Sequence, residues 1–320
     1  MSSALLIVAG LAGLLVGADL LVRGGAALAS QLGVRPIVVG LTVVALGTSL
    51  PELAVGIDAV RQGSAGLAVG NIIGANLVSV LFILGLSALL RPIPFERRTL
   101  RFDLPAMTAA CLALWLLALD GSLTRVDGAL LCLGGVAYTA GIIWTSRREP
   151  EPVRADYAAQ SERTAVRGGR GLVLRVLTLF AGIGLVLVGA EFLVEGSTEI
   201  ARSLEVSEAT IGLTVIAIGT TSPELVTTLT STLRGDRDIA LGNLLGSTVY
   251  NIAFILGITV LAAPAEVQIP REVIAADLLV LAVVGVITVP VLLSGHRVSR
   301  VEGGAFVAAY LGYLLWLIVV

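Results

Sequence analysis

Lysine is absent from the 320 residues, so all 21 basic side chains are arginines. That removes Schiff-base chemistry and lysine-based phosphate loops. Histidine occurs once, at His296 in a polar loop, which excludes histidine-rich metal sites and Ser-His-Asp triads. The two cysteines, Cys111 and Cys132, lie inside apolar runs and read as small core residues, not as a disulfide framework. Charge is scarce: 14% of residues are charged, against about 25% in an average soluble protein. Apolar residues make up 56% and the mean hydropathy is +0.97, which excludes a soluble globular enzyme. The net charge of −2 offers no footprint for nucleic acid.

What is present is a series of apolar runs. Ten occur, at about 4–29, 37–60, 65–90, 103–120, 126–145, 172–200, 209–233, 238–263, 272–293 and 301–319. Each suits a hydrocarbon core of about 30 Å, and none alternates with period two as a barrel strand would. Met1-Ser2-Ser3 lacks the basic segment of a secretory signal, and the run after it is too long for one, so it reads as the first membrane helix. The expected class is an all-α integral membrane protein with ten transmembrane helices. The stretch 146–171 interrupts the pattern with ten charged residues, from Arg147 to Arg170, and reads as a linker between residues 1–145 and 172–320.

Arginine placement orients the chain. With the N-terminus outside, the inner side receives 17 arginines and the outer side only Arg61, Arg125, Arg202 and Arg271. Both termini are therefore expected outside and the linker in the cytoplasm, with the protein in the cell membrane.

The halves repeat one another. A shift of 172 lays GLTVVALGTSLPEL (40–53) over GLTVIAIGTTSPEL (212–225) and GNIIG (70–74) over GNLLG (242–246). From 40 to 89, 20 of 50 positions are identical without a gap. An odd number of spans per half places the copies in opposite orientations. Two inverted five-helix repeats are a secondary-transporter architecture, with the site near the midplane.

The candidate chemistry lies in Gly47-Thr48-Ser49-Leu50-Pro51-Glu52 and its copy Gly219-Thr220-Thr221-Ser222-Pro223-Glu224. An ionised Glu at mid-span costs a few kcal/mol or more and is a functional candidate by default. Pro51 and Pro223 lack an N–H, which frees the carbonyls of Gly47 and Gly219 for a cation. Thr48 and Ser49 precede Glu52 by four and three residues on one helix face, as Thr220 and Thr221 precede Glu224. Carboxylate, hydroxyl and carbonyl oxygens without nitrogen or sulfur suit a hard cation, Ca²⁺ or Na⁺. A matching stripe, Asn71–Ala75–Ser79 and Asn243–Ser247–Asn251, offers Ser79, Ser247 and Asn251 as further ligands. Asn71 and Asn243, at helix starts, read more as packing residues. Asp19 and Glu191 match one another near helix ends and read as interfacial. Asp58, opposite Thr230, stands outside the symmetric set, near the outer end of its helix.

Together these motifs closely resemble the calcium/sodium antiporter family, the prokaryotic sodium/calcium exchangers of the calcium:cation antiporter superfamily. The resemblance covers nearly the whole chain. It rests on GTSLPE with GNIIG, repeated as GTTSPE with GNLLG; proton-coupled relatives carry a GN-A-E type motif there. It implies Glu52 and Glu224 as central carboxylates, and Thr48, Ser49, Thr220 and Thr221 as hydroxyl and backbone ligands. Ala45 and Ala217 are implied as carbonyl ligands and Ser247 as a hydroxyl ligand. It also implies that the first and sixth segments slide against the rest in alternating access. Three positions depart from the family pattern: Ala75 where Ser is frequent, Ser79 where Asn is common, and Asn251 where an Asp occurs.

The reading is a non-enzymatic antiporter exchanging Ca²⁺ for Na⁺ through the two mid-membrane Glu residues. It needs no cofactor; its partners are the two ions and the lipid bilayer, with no obligatory protein partner. Ca²⁺/H⁺ exchange on the same scaffold is the nearest alternative. A passive cation channel is disfavoured by the inverted repeat, and a membrane enzyme by the want of a nucleophile–base pair.

Overall fold

The computed structural model describes residues 2–32, 34, 36–94, 101–147, 169–203, 217–295 and 297–319. The 146–171 linker therefore lies almost wholly outside the described residues, as does the start of the seventh apolar run. In chain order the elements are α1 (Ser3–Leu32), α2 (36–48), α3 (Leu50–Arg61), α4 (Ala65–Leu90), β1 (Ile93–Pro94), α5 (Asp103–Leu117), β2 (Ser122–Leu123) and α6 (Arg125–Arg147). There follow α7 (Gly169–Ser203), α8 (Ala217–Thr220), α9 (Ser222–Arg234), α10 (Asp238–Ala262), β3 (Val267–Gln268), α11 (271–295), β4 (Arg297–Val298) and α12 (Arg300–Val319).

Among the described residues, seven helical stretches are long and apolar enough to cross a bilayer: Ser3–Leu32, Pro36–Arg61, Ala65–Leu90, Arg125–Thr145, Leu172–Ile200, Asp238–Ala262 and Ile274–Leu293. The chain is a multi-pass helical membrane protein. Burial sorts these helices. In α4 and α10, 72% and 83% of the apolar window is buried, against 28% in α6 and α7. The outward faces of α6 and α7 carry residues such as Leu133 and Leu174, both more than 60% exposed, as a lipid-facing surface requires. One expected span differs in length. The run at 103–120 forms a helix of only 15 residues, about 22 Å long. Beyond its C-cap at Ala118, Gly121 takes a left-handed φ of 94° where the chain turns into β2.

The chain divides into two compact units, Met1–Thr48 with Gly141–Asn243, and Ser49–Ala140 with Leu244–Val320. Each draws on both halves of the sequence.

In the first unit α1 and α7 lie antiparallel at backbone contact. Glycines at intervals of seven make this possible: Gly10, Gly17 and Gly24 on α1, and Gly182, Gly189 and Gly196 on α7. A β-carbon on Gly17 would sit 2.7 Å from the Val186 nitrogen, and one on Gly182 only 2.5 Å from that of Leu21. Between lipid tails, helices gain little from hydrophobic burial and associate through such close packing. A β-carbon on Gly40 of α2 would likewise lie 3.1 Å from the Cα of Gly242 in α10. Asp19 of α1 pairs with Arg23 one turn along at 3.0 Å and with Arg234 at the end of α9. Asp19 sits midway along α1, 13 residues from its last residue, and not near a helix end as expected. At the opposite end of α1, Ser3 Oγ donates to Glu199 of α7 at 2.9 Å.

In the second unit α12 packs on α4, where Gly85 and Gly303 approach to the point that a β-carbon on either would lie within 2.7 Å of the other's carbonyl oxygen. Two short antiparallel bridges, not expected from the sequence, tie loops together: Ile93–Pro94 with Val298–Arg297, and Ser122–Leu123 with Gln268–Val267.

Several helices carry a π-helical turn: Gly40–Val44 in α2, Val78–Ile83 in α4, Asn251–Leu256 in α10 and Ile274–Leu278 in α11. Shifting 78–83 by 172 gives 250–255, one residue from 251–256. Such turns are rare and concentrate at functional positions.

Candidate cation site

Both PE motifs break a helix. α2 ends at Thr48 and α3 begins at Leu50; α8 ends at Thr220 and α9 begins at Ser222. The residue between, Ser49 or Thr221, takes ψ near zero (φ/ψ −86/7 and −88/−1). The cause is the proline at the second position of the new helix, which has no N–H to continue the old one. Glu52 and Glu224 thereby fall in the first turn of α3 and α9, at 0% and 2% exposure. A carboxylate there faces the positive end of the helix dipole, which offsets part of the cost of its burial. The spacing from Ser49 and Thr221 to the glutamates is that of a capping box, yet neither hydroxyl caps its helix.

In the first unit, Thr48, Thr220, Thr221, Ser222, Glu224 and Asn243 are all buried. The Thr48 hydroxyl lies 3.2 Å from the Ala45 carbonyl and 3.1 Å from Asn243 Oδ1. Asn243 Nδ2 in turn donates to Thr228 Oγ1 at 3.1 Å. Asn243, expected to serve packing, thus ties α2, α9 and α10 together and fixes the Thr48 hydroxyl. Thr221 Oγ1 donates to the Ile218 carbonyl at 3.4 Å. Ala45 is fully buried directly after the π turn, and Ala217 opens α8.

One detail departs from the sequence reading. The Gly219 carbonyl freed by Pro223 accepts the Ser222 hydroxyl at 2.7 Å, so it is satisfied within the protein. The matching residue in the first repeat is Leu50, which has no hydroxyl.

In the second unit, Asn71 Nδ2 donates to the Glu52 backbone carbonyl at 3.4 Å, which holds α4 against the start of α3. Ser247 is fully buried and donates to the Leu244 carbonyl at 3.2 Å, leaving its lone pairs to a ligand. Ser79 and Asn251 each lie within a π turn, at 1% exposure. The hydroxyl of Ser79 and Oδ1 of Asn251 have no hydrogen-bond partner among the described residues. Two features were missed in the sequence. Asn76, fully buried, accepts from Asn251 Nδ2 at 3.3 Å. Its signal was its place three residues before Ser79, on the same helix face. Thr228 was also missed, although it lies four residues after Glu224.

Known proteins resemble this chain over nearly its whole length. The family model described as sodium/calcium exchanger protein matches residues 2–144 and 174–319. The inner membrane protein YrbG of Escherichia coli is 34% identical over 317 residues, 99% of this chain and 96% of that one. The sodium/calcium exchanger MaX1 of Methanosarcina acetivorans is 28% identical, with 97% of each chain covered. A solved structure of the sodium-calcium exchanger NCX_Mj, soaked with 2.5 mM Na⁺ and 1 mM Sr²⁺, superposes with a TM-score of 0.85 at 27% identity, over 98% of this chain and 97% of that one.

Proposed function

The chain belongs to the sodium/calcium exchanger protein family, a family of membrane transporters, and from that premise we propose that it exchanges Ca²⁺ for Na⁺ across the cell membrane by alternating access. The observation that carries this reading is the paired Pro–Glu break: two glutamates, at matched places of the repeat, each buried in the first turn of a half-helix. Glu52 and Glu224 are the central ligands. Thr48, Ser49, Thr220, Thr221, Ser79, Ser247 and Asn251 add side-chain or backbone oxygens, and Ala45 and Ala217 add carbonyls. Two carboxylates balance one Ca²⁺ or two Na⁺. Emptied of cations, they would stand as uncompensated buried charges, each costing several kcal/mol by solvation arguments. The unloaded form therefore resists crossing, and that couples the two fluxes.

The architecture proposed is ten transmembrane helices in two inverted five-helix repeats, 1–145 and 172–320, joined by a cytoplasmic linker at 146–171, with both termini outside. The strand bridges support it: β1 and β4 join loops expected inside, and β2 and β3 join loops expected outside. The antiparallel α1 and α7, the first helices of the two repeats, also fit an inverted pair.

The test is ⁴⁵Ca²⁺ uptake into proteoliposomes under an outward Na⁺, K⁺ or H⁺ gradient. Uptake driven by Na⁺ alone is expected. Uptake driven by H⁺ would replace this reading with Ca²⁺/H⁺ exchange, and uptake without any counter-gradient would mean a channel.

A further inference from the structure

We infer that Asn76 is a positioning residue that sets which end of the Asn251 amide is offered to the transported cation. This rests on the reading above, in which Asn251 is a ligand. The side-chain amide of Asn251 has a donor end and an acceptor end, and only the oxygen can bind a cation. Nδ2 of Asn251 donates to Oδ1 of Asn76 at 3.3 Å. That bond uses one of the two N–H donors and turns Oδ1 away, where it has no partner among the described residues; Nδ2 of Asn76, on the far side of the bond, has none there either. Both side chains are at least 99% buried, so water does not compete for either end. An unsatisfied buried acceptor is costly unless something binds it, and a dehydrated Na⁺ is a suitable occupant. Reversal of the amide would aim two N–H groups at the cation instead.

The device belongs to one repeat only. The residue matched to Asn76 by the 172-residue shift is Thr248, whose hydroxyl donates to the carbonyl of Leu244 in its own helix at 3.0 Å. The residue matched to Asn251 is Ser79, whose single hydroxyl oxygen has no second end to be chosen. An orienting partner is needed only where the ligand is an amide, and it stands only there.

A double-mutant cycle tests this on the purified full chain. The readout is the Na⁺ concentration giving half-maximal thermal protection, with Ca²⁺ protection as comparator, at about pH 8, where an ordinary carboxylate is ionised. Asn76→Leu should raise the Na⁺ half-saturation by roughly two- to tenfold, because the amide then divides its time between two orientations. In an Asn251→Asp background the same substitution should change it by less than about 1.5-fold, since both ends of a carboxylate are oxygens. Asn76→Ala serves in place of Asn76→Leu if the larger side chain prevents folding. Equal rises in both backgrounds would overturn the inference and leave a merely structural role for Asn76. No rise with Asn251 in place would also overturn it. Absence of any Na⁺ response in the wild type would overturn both this inference and the Na⁺-exchange reading.

Discussion

Replacing Gly182 by alanine tests whether the helix pair α1–α7 is set by backbone contact. The added β-carbon would lie 2.5 Å from the Leu21 nitrogen, 2.8 Å from its Cα and 2.9 Å from the Gly17 carbonyl oxygen. Ordinary contact begins near 3.4 Å, so the helices must separate by almost 1 Å there. None of the three obstructing atoms belongs to a side chain that could rotate away. Overpacking of this kind costs about 1–3 kcal/mol. Against it, alanine is the better helix former by about 1 kcal/mol. The net expectation is a loss of up to about 2 kcal/mol. Gly184→Ala is the internal control, because nothing described lies within 4 Å of its β-carbon. It carries the helix-forming gain alone and should leave stability unchanged or raised. The assay is thermal unfolding in detergent, followed by monodisperse elution after heating. Equal midpoints for the two variants would refute the contact argument, and a Gly182→Ala midpoint above wild type would do so more strongly.

Further outcomes follow from the site and the charge pattern. In the proposed site, Asn251→Asp would add a third carboxyl group to the two that balance the cargo, so it should hold a proton as the pH falls. Its Ca²⁺ uptake should drop more steeply than wild type between pH 7.5 and about 6, and superimposable profiles would remove position 251 from the site. A cysteine at Ala158, in the linker, should resist impermeant maleimide applied to intact cells and react after lysis; labelling from outside would reverse the proposed topology. Ser222→Ala removes the hydroxyl that satisfies the Gly219 carbonyl, and should lower the unfolding midpoint by the equivalent of about 1–2 kcal/mol. An unchanged midpoint would show that another group takes over that carbonyl.

Much of this was legible in the sequence because the chain writes it twice. Once the 172-residue shift is seen, the two Pro–Glu breaks select one another, and proline chemistry alone puts each helix end at residue 48 or 220. The lipid-facing and buried helices were harder to tell apart, since an apolar run looks the same whether lipid or protein covers it. α4 and α10 differ from α6 and α7 in surroundings more than in hydropathy. The π turns at 78–83 and 251–256 were invisible, because a stripe spaced by four describes an α-helix and one extra residue per turn rotates it. The glycine ladder was present as a spacing of seven, but its use depends on which helix lies opposite. Ser222 escaped notice because its counterpart is Leu50, and repeat symmetry directs attention to what the halves share.

The central claim is that Glu52 and Glu224 bind the ions that the protein exchanges. It is tested most directly by Na⁺-driven ⁴⁵Ca²⁺ uptake into proteoliposomes holding equal amounts of folded wild type, Glu52→Gln and Glu224→Gln. Glutamine keeps the size and one oxygen of the side chain and removes its charge. Losing one of two charges that balance Ca²⁺ should reduce uptake to background in both variants. Uptake at more than about half the wild-type rate by either variant would contradict the assignment of that glutamate as a central ligand.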